Sequence, residues 1–446
     1  MQTERLFARL WLSALSAALL LPAAAERALA QAAERNVTFL STSDCHYDAF
    51  ENEARNERNR DSIREMNAIA TRVWPEQLGG GNVERPRGVV VLGDCIDDGD
   101  RVLDGKPQSR PQYEFFRADF GLDGTDGLLK YPVFEGWGNH DGPPVGKERF
   151  GFSFQAELKK RNAVRQQKGW IGNLSENGLH YSWDWDDVHL VQLNFYPADQ
   201  QRAGVRYSPV WHDPQGALTF LKTDLAKHVA ASGRPVVLMS HCGFDTDWWT
   251  PADWKDLYDA VKDYNIVLYL YGHSGTGVRE WAPAGEQKTW TCINDGQTEN
   301  GFFVIQLRGD RLRAAYRVKA NVKVTRNPDR TETRQWGGDW EWKWLVDKPV
   351  RGVAPAAESG PAGDSFAPAW RRRNITRRVV RGEATRVGQH QRCSHDRNAP
   401  SPTIDHDRGS RCGEASHGRS SCWVMSRWRR LPNRPSPSAA RHRRAA

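Results

Sequence analysis

The chain has 446 residues, of which 39% are hydrophobic and 26% are charged. This length and balance suit a globular protein with a buried core, and they exclude a polytopic membrane protein or a wholly disordered chain. The net charge of +8 would suggest a nucleic-acid partner, but residues 350–446 carry 20 arginines against 7 acids, which leaves the rest of the chain at −5.

The first thirty residues have the pattern of a secretory signal peptide. Arg5 and Arg9 precede a short apolar stretch, and small residues around Ala25 and Ala30 offer cleavage sites. A basic start, a short apolar middle and a small-residue exit are typical of exported proteins. We therefore expect residues 1–30 to be a signal peptide and the protein to be secreted or periplasmic. No membrane span is expected, because no apolar stretch reaches the roughly 20 residues that a membrane helix needs.

Short β-rich segments alternate with helical patterns from residue 36 onward. Each segment is mostly apolar and ends in a polar cluster, and the five segments are Val37–Ser41, Val89–Leu92, Val133–Glu135, Val236–Met239 and Ile266–Tyr271. Continuous apolar strands separated by helices predict an α/β fold in which both faces of the strands are covered. In such folds the carboxyl ends of the strands carry the residues that bind ligands.

Three helices and a hairpin are predicted between these strands. Apolar side chains recur at helical spacing over residues 63–73, 215–230 and 254–261. The third helix is preceded by Thr250 and Pro251, with Asp253 at the third helical position, which is the pattern of a capped helix start. Alternating residues on either side of Asp186 and Asp187 predict a hairpin.

The end of the predicted domain is rich in aromatic residues. A second hairpin is predicted over residues 302–318. Beyond it, Trp340, Trp342 and Trp344 alternate with charged residues, which predicts that the three indoles share one face of a strand. Packing on the sheet is the favoured interpretation of this face, and a ligand platform is the alternative.

Residues 350–446 differ in composition from everything before them. They contain no lysine, many arginines, and no apolar periodicity. Such a segment cannot bury a core, so we expect an arginine-rich disordered tail. The predicted organisation is therefore a signal peptide (1–30), one domain (31–349) and this tail. Nonspecific contacts with nucleic acid are a hypothesis for the tail alone, and salt-sensitive binding that is lost on truncation at Pro349 would support it.

Five short clusters of acid, amide and imidazole side chains follow the five predicted strands. They are Asp44-Cys45-His46, Gly93-Asp94-Cys95-Ile96-Asp97, Gly138-Asn139-His140-Asp141, Ser240-His241 and Gly272-His273-Ser274-Gly275. Each cluster alone is a weak signal, because the chain has 13 histidines. Gathered at one sheet edge, these oxygen and nitrogen donors would suit first-row divalent metals. Two such ions about 3.5–4 Å apart can hold the attacking and leaving oxygens of a phosphoryl group.

In order and spacing, these clusters resemble the calcineurin-like metallophosphoesterase superfamily, whose pattern is D-x-H, G-D-x-x-D, G-N-H-D/E, a lone H and G-H-x-H. Four of these motifs match fully, and the resemblance spans residues 37–318. It implies two packed mixed β-sheets flanked by helices. It also implies a hydrolase of phosphate mono- or diesters that uses two divalent ions (Mn, Fe or Zn), with a metal-bound hydroxide attacking phosphorus. Together with the signal-peptide pattern, this predicts an exported enzyme.

The resemblance also implies a role for each matching residue. Asp44 and His46 would bind the first ion, Asp94 would bridge the two ions, and Asn139, His241 and His273 would bind the second. His140 would be the general acid that protonates the leaving group, oriented by Asp97.

One position departs from the family pattern, because Gly275 stands where the family has a second histidine that binds the first ion. Three explanations are open. The first ion binds weakly and is recruited with substrate, since three protein ligands plus water is a workable catalytic site. Alternatively, another histidine substitutes, with His180, His189 and His212 as candidates. In the third case the protein is a non-catalytic binding protein on the same scaffold.

Overall fold

The computed structural model describes residues 35–50, 53–142, 152–202, 212–246, 248–327 and 332–350. These residues all lie in one compact unit within the Met1–Ala362 part of the chain. The predicted signal peptide and all but the first residue of the predicted tail lie outside the described residues. Both therefore stay predictions, as does the division of the chain at residues 31 and 349.

The described residues form seventeen strands and five α-helices. The strands are β1 (Asn36–Thr42), β2 (Val89–Val91), β3 (Val102–Leu103), β4 (Lys106–Pro107), β5 (Val133–Glu135), β6 (Asn173–Leu174), β7 (Tyr181–Trp185), β8 (Val188–Gln192), β9 (Val236–Met239), β10 (Ile266–Tyr271), β11 (Thr276–Trp281), β12 (Trp290–Asp295), β13 (Gly301–Arg308), β14 (Arg311–Lys319), β15 (Lys323–Arg326), β16 (Glu332–Gln335) and β17 (Trp340–Pro349). The helices are α1 (Glu53–Ala68), α2 (Ser109–Phe120), α3 (Phe154–Gln167), α4 (Ala217–His228) and α5 (Pro251–Val261). None of these helices is both long enough and apolar enough to cross a bilayer.

Most strands belong to two mixed sheets. The first sheet has the order β17-β14-β13-β1-β2-β5, and the second has the order β11-β12-β10-β9-β8-β7-β6. Within the first sheet, β1, β2 and β5 run parallel to one another. Within the second, β8, β9, β10 and β12 run parallel. All five predicted strands are present, and each lies in one of these parallel groups.

The parallel strands are buried on both faces, which explains their continuous apolar sequences. Val90 lies in the apolar cluster that both sheets share, together with Val237 from β9. Its neighbours Val89 and Val91 point the other way and lie in the cluster that contains helix residues such as Ile63. Successive side chains of a strand point to opposite faces, so each strand contacts the other sheet on one side and helices on the other. The predicted fold class, two packed mixed sheets flanked by helices, is confirmed.

The helix boundaries follow local signals. At the start of α5, the Asp253 backbone N–H donates to Thr250 Oγ1 (3.3 Å) and the Thr250 N–H donates to Asp253 Oδ2 (2.9 Å), as the sequence predicts. The α4 helix starts two residues later than predicted, because Gln215 and Gly216 have φ angles of 56° and 78°, outside the helical region. The α1 helix ends before Val73, whose surface is 56% exposed.

The prediction that three tryptophans share one face of a strand is wrong for the last of them, Trp344. Trp340 and Trp342 pack on the core, and the Trp342 ring stacks on Trp74 with 5.8 Å between centroids. Trp344 is 48% exposed and has a φ of 51°. It lies where the pairing register between β14 and β17 shifts. A bulge adds one residue to the strand and so reverses the alternation of faces beyond it.

Candidate metal centre

The predicted site residues follow the carboxyl ends of parallel strands. Asp44 and His46 follow β1, Asp94 follows β2, Asn139 follows β5, His241 follows β9, and His273 follows β10. Parallel strands place their carboxyl ends at the same edge of a sheet. The topology therefore brings together side chains as distant in sequence as Asp44 and His273, which are 229 positions apart and joined by a hydrogen bond from the His273 N–H to Asp44 Oδ2 (2.9 Å).

Asp94 lies at the centre of this cluster. Its Oδ2 atom is 3.3 Å from Nε2 of His241 and 3.7 Å from Nε2 of His46. Ligand atoms of Asp44, Asp94 and His241 lie within 4.8 Å of one another, as do those of His46, Asp94 and His140. Asp94 thus belongs to two groups that can each hold an ion, which is the placement that a bridging carboxylate requires.

Asn139 and His273 complete the side of the cluster around His241. The amide oxygen of Asn139 is 2.9 Å from His241 Nε2. The His273 ring lies edge-on to the His241 ring, with 5.1 Å between their centroids. His241, His273 and the buried thiol of Cys242 form a third group of possible ligands. Cys242 was not predicted as a site residue, and its position next to His241 in sequence was the one available signal.

The charged groups of the cluster shift one another's pKa values. Burial by itself would raise the pKa of Asp94, but the nearby imidazoles, His241 first, hold that pKa well below its usual range. Burial would lower the pKa of His241, yet Asp94 raises it to about 9. The pKa of His273 falls to about 4, because burial and the charge of His241 both disfavour protonation. Metal ligation requires a neutral imidazole, so binding an ion at His241 releases a proton and is opposed by acid.

Two glycines of the motifs leave room for the carboxylates of Asp94 and Asp44, because a side chain at either glycine would overlap a carboxylate oxygen. A Cβ at Gly138 would lie 2.3 Å from Asp94 Oδ1, and one at Gly272 would lie 2.6 Å from Asp44 Oδ2. The carboxylate-bearing residues themselves are strained, with φ angles of 50° at Asp44 and 51° at Asp94. Left-handed backbone at non-glycine residues is typical of functional sites, where the surrounding structure enforces it.

His140 is the most exposed of the predicted site residues, but its imidazole ring lies against the segment that follows Asp94. The resemblance implied that Asp97 orients His140. The contact is made by the Asp97 backbone, since His140 Nδ1 lies 2.5 Å from the carbonyl oxygen. The Asp97 carboxylate instead accepts a hydrogen bond from Arg55 Nη1 (2.6 Å). Sequence reasoning missed Arg55, which has no signal beyond its place in a charged helical segment.

The histidines proposed as substitutes at Gly275 lie in other surroundings. His189 is held between two carboxylates, with Nδ1 2.7 Å from Asp184 and Nε2 2.7 Å from Asp224. His180 Nε2 lies 3.2 Å from the carbonyl oxygen of Gln215. Among the described residues, none of the three candidates belongs to a group that can hold an ion.

The remaining substitute, His212, packs against an aromatic side chain. Its ring lies 4.4 Å from the ring of Trp248, and Trp248 in turn lies 5.3 Å from the ring of His273. His212 is therefore separated from the predicted ligand His273 by the Trp248 ring. Gly275 itself is exposed.

Asp141 has a supporting position that the sequence did not reveal, although it is the last residue of the G-N-H-D cluster. Its carboxylate accepts hydrogen bonds from the N–H groups of Gly138 (2.8 Å) and Ile96 (3.0 Å). Burial, followed by the charge of Asp94, raises the pKa of Asp141 to about 8. Asp141 therefore ties the loops after β2 and β5 together beneath the cluster.

The donor set fits divalent ions of the first transition row. Two buried carboxylates and several imidazoles lie in overlapping groups of three whose ligand atoms are within 4.8 Å of one another, and the amide oxygen of Asn139 lies beside His241. Carboxylate and imidazole ligands suit Mn, Fe and Zn rather than soft or purely oxygen-preferring ions. The residues present therefore fit metal ions.

Comparison with known proteins identifies the family of this arrangement. A family model described as calcineurin-like phosphoesterase matches residues 37–276. No curated protein matches the chain.

Several solved structures are similar at low identity. One is GAP50, described as the anchor in the inner membrane complex of Plasmodium, with 11% identity, a TM-score of 0.37, and 64% of this chain and 86% of that one covered. Another is Vacuolar Protein Sorting 29 from Cryptosporidium parvum, with 9% identity, a TM-score of 0.30, and coverage of 71% and 99%. A third is the NAD nucleotidase of Haemophilus influenzae, with 10% identity, a TM-score of 0.29, and coverage of 68% and 54%.

Proposed function

Because this chain belongs to the calcineurin-like phosphoesterase family, we propose that it is an exported metal-dependent hydrolase of phosphate mono- or diesters. The observation that carries the proposal is the position of Asp94, 3.3 Å from His241 and 3.7 Å from His46. A buried carboxylate between imidazoles from two different sheets is suited to being shared by two ions. Export rests on the signal-peptide pattern of residues 1–30.

The predicted ligands divide into two sets around Asp94. The first ion would be held by Asp44 and His46, the second by Asn139, His241 and His273, with Asp94 shared between them. When bound, such ions lower the pKa of a coordinated water and neutralise charge on the phosphoryl oxygens.

The chain itself supplies the proton that the departing alkoxide needs. The carbonyl oxygen of Asp97 can only accept, so His140 Nδ1 carries a hydrogen and Nε2 is left for proton transfer. Burial would lower the pKa of His140, but Asp94 and the Asp97 carbonyl raise it. A raised pKa keeps His140 protonated closer to neutral pH, as a general acid requires.

Gly275 leaves the first ion with fewer protein ligands than the family pattern provides. We propose that this ion binds weakly and is recruited with the substrate. The second candidate function, a non-catalytic binding protein on this scaffold, is favoured by the same glycine, because loss of the first ion would remove turnover and leave the second ion in place.

Hydrolysis of aryl phosphate mono- and diesters, measured with added Mn²⁺, Zn²⁺ or Fe²⁺, tests the proposal. We expect metal-dependent activity that falls by at least about a hundredfold in Asp94→Ala, because metal ions contribute several kcal/mol to such reactions. Asp119→Asn is the control, since Asp119 is a buried carboxylate that pairs with Tyr47 and Arg60 outside the cluster. Asp119→Asn should keep the activity. No hydrolysis at any metal, with an ion still retained, would favour the binding protein.

A further inference from the structure

His140 is held by two hydrogen bonds to one short segment. Its Nδ1 lies 2.5 Å from the carbonyl oxygen of Asp97, and its own carbonyl accepts a hydrogen bond from the Gly99 N–H (2.9 Å). The first contact selects the tautomer, because a carbonyl accepts and cannot donate. The position of Asp97 therefore decides which imidazole nitrogen faces outward.

Arg55 holds the side-chain carboxylate of Asp97. Its Nη1 donates to Asp97 Oδ1 (2.6 Å) and lies 3.4 Å from the carbonyl oxygen of His46. The Arg55 side chain is only 22% exposed and comes from the first turn of α1. Arg101 lies further from the same carboxylate, with 3.5 Å between Nη1 and Oδ2. The short, charge-assisted bond from Arg55 is thus the stronger of the two restraints on the Asp97 side chain.

A competing partner for Asp97 lies near the same carboxylate oxygen that Arg55 binds. His46 Nδ1 is buried, has no hydrogen-bond partner among the described residues, and lies 3.7 Å from Asp97 Oδ1. Without Arg55, the carboxylate would turn toward this unsatisfied nitrogen, because a buried polar atom without a partner is costly. That rotation would move the Asp97 backbone and loosen the carbonyl contact to His140.

We propose that Arg55 is a positioning residue for His140: through the Asp97 carboxylate it fixes the Asp97 carbonyl, which accepts from His140 Nδ1–H and so directs Nε2, the nitrogen that carries the transferable proton when the imidazole is protonated, toward the leaving group. The inference rests on the proposed function, in which His140 is the general acid. It assigns a role in that reaction to a helix residue whose side chain does not contact His140 and which reaches a predicted metal ligand, His46, only at the backbone carbonyl.

The matched control lies one turn along the same helix. Arg58 donates from Nε to Glu299 Oε2 (2.5 Å), and its side chain is also 22% exposed. Arg58→Gln removes an arginine–carboxylate pair of similar burial from α1 and leaves Asp97 untouched. Any effect on His140 that comes only from weakening α1 should therefore appear in Arg58→Gln as well.

The first measurement reads the His140 tautomer directly. The zinc-loaded protein is labelled with 15N-histidine, and the ring nitrogen shifts are recorded at alkaline pH, where the imidazole is neutral. We expect one tautomer, protonated at Nδ1, in the unmodified protein and in Arg58→Gln. Arg55→Gln should give a mixture of tautomers, and Arg55→Lys should restore the single tautomer in part. A single Nδ1–H tautomer in Arg55→Gln would overturn the proposal.

The second measurement uses the leaving group. A nitrophenolate leaves without a proton, whereas an alkoxide needs the general acid, a contribution of about 10²–10⁴-fold. Arg55→Gln should therefore lower kcat for an alkyl phosphate ester by about tenfold or more, and kcat for the nitrophenyl ester by less than about threefold. Equal losses on both esters would overturn the proposal. If the unmodified protein hydrolyses neither ester, the proposed hydrolase fails, and the tautomer measurement still decides the role of Arg55.

Discussion

At Gly275, where the family has a histidine, the backbone adopts a conformation that would strain any side chain. The φ angle is +139°, a conformation that residues with a Cβ rarely adopt, whereas a Cβ there would have no heavy atom within 4 Å. Space is available, and the strained backbone conformation is what opposes a side chain. The ligands left for the first ion are Asp44, His46 and the shared Asp94.

Metal content follows from this single residue. After exhaustive dialysis, we expect about one ion per chain, measured by inductively coupled plasma mass spectrometry, and a second ion only when a phosphate analogue is present. The first site has three predicted protein ligands, whereas the second has four, the number that closes a structural metal site. His241→Asn should release the tightly held ion, and His46→Asn should keep it. Two ions retained per chain without the analogue would contradict the weak first site.

At the scale of an element, α5 shows how local sequence fixes a helix start. Thr250 and Asp253 exchange two hydrogen bonds at its first turn, and Pro251 occupies the first helical position. These bonds satisfy N–H groups that have no partner within the helix. The helix carries Leu257 and Val261 into the core, so its start sets where these side chains pack.

Thr250→Ala should therefore lower the free energy of unfolding by about 1 kcal/mol, measured by urea denaturation, because it removes an N-cap side chain. Thr223→Ala provides the control. Thr223 is an exposed residue within α4 whose hydroxyl donates to the Thr219 carbonyl oxygen one turn earlier. Its replacement should change stability little, and equal losses in the two variants would show that the cap contributes nothing specific.

At the scale of the whole molecule, a buried ion cluster joins the layers. Glu135, at the end of β5, accepts hydrogen bonds from Arg161 (2.5 Å) and Arg165 of α3. The hydroxyl of Tyr181, from the second sheet, donates to the Glu135 carbonyl oxygen (2.9 Å). Arg161 also donates to the Gly121 carbonyl oxygen at the end of α2 (2.6 Å). Both sheets and two helices thus meet at one glutamate.

Removing the charge of Glu135 should lower the free energy of unfolding substantially. Glu135→Gln leaves two buried guanidinium groups without their anion, so we expect a loss of about 3–5 kcal/mol at neutral pH, measured by denaturant unfolding. Glu114→Gln, which breaks an exposed pair with Arg117 on α2, should cost less than about 1 kcal/mol.

The pH dependence of this loss has a definite sign. Burial would raise the pKa of Glu135, but Arg161 and Arg165 lower it from about 4.5 to about 2. A carboxyl with a depressed pKa stabilises the fold above its unfolded pKa, and that contribution disappears as the pH falls toward the folded value. The difference between Glu135→Gln and the unmodified protein should therefore be constant above about pH 5 and narrow between pH 4.5 and 2. A difference that stays constant through this range would contradict the assignment.

Several features could not be read from the chain, and in each case the reason is physical. The exposure of Trp344 depends on a bulge in β17, and bulges are set by pairing with the neighbouring strand rather than by the strand's own residues. The role of Arg55 depends on its approach to Asp97, 42 positions away. The contact between His140 and Asp97 runs through a backbone carbonyl, which has no sequence signature.

Sequence analysis alone predicted the five strands of the parallel groups, the capped start of α5, the resemblance to a family and a set of candidate ligands. These follow from local rules, because apolar periodicity, capping residues and motif spacing act over a few neighbouring positions. The packed structure was needed to show which atom of Asp97 contacts His140, what lies around His180 and His189, and which backbone conformation Gly275 adopts. Those outcomes depend on backbone angles and on contacts between distant segments, which exist only once both sheets have packed.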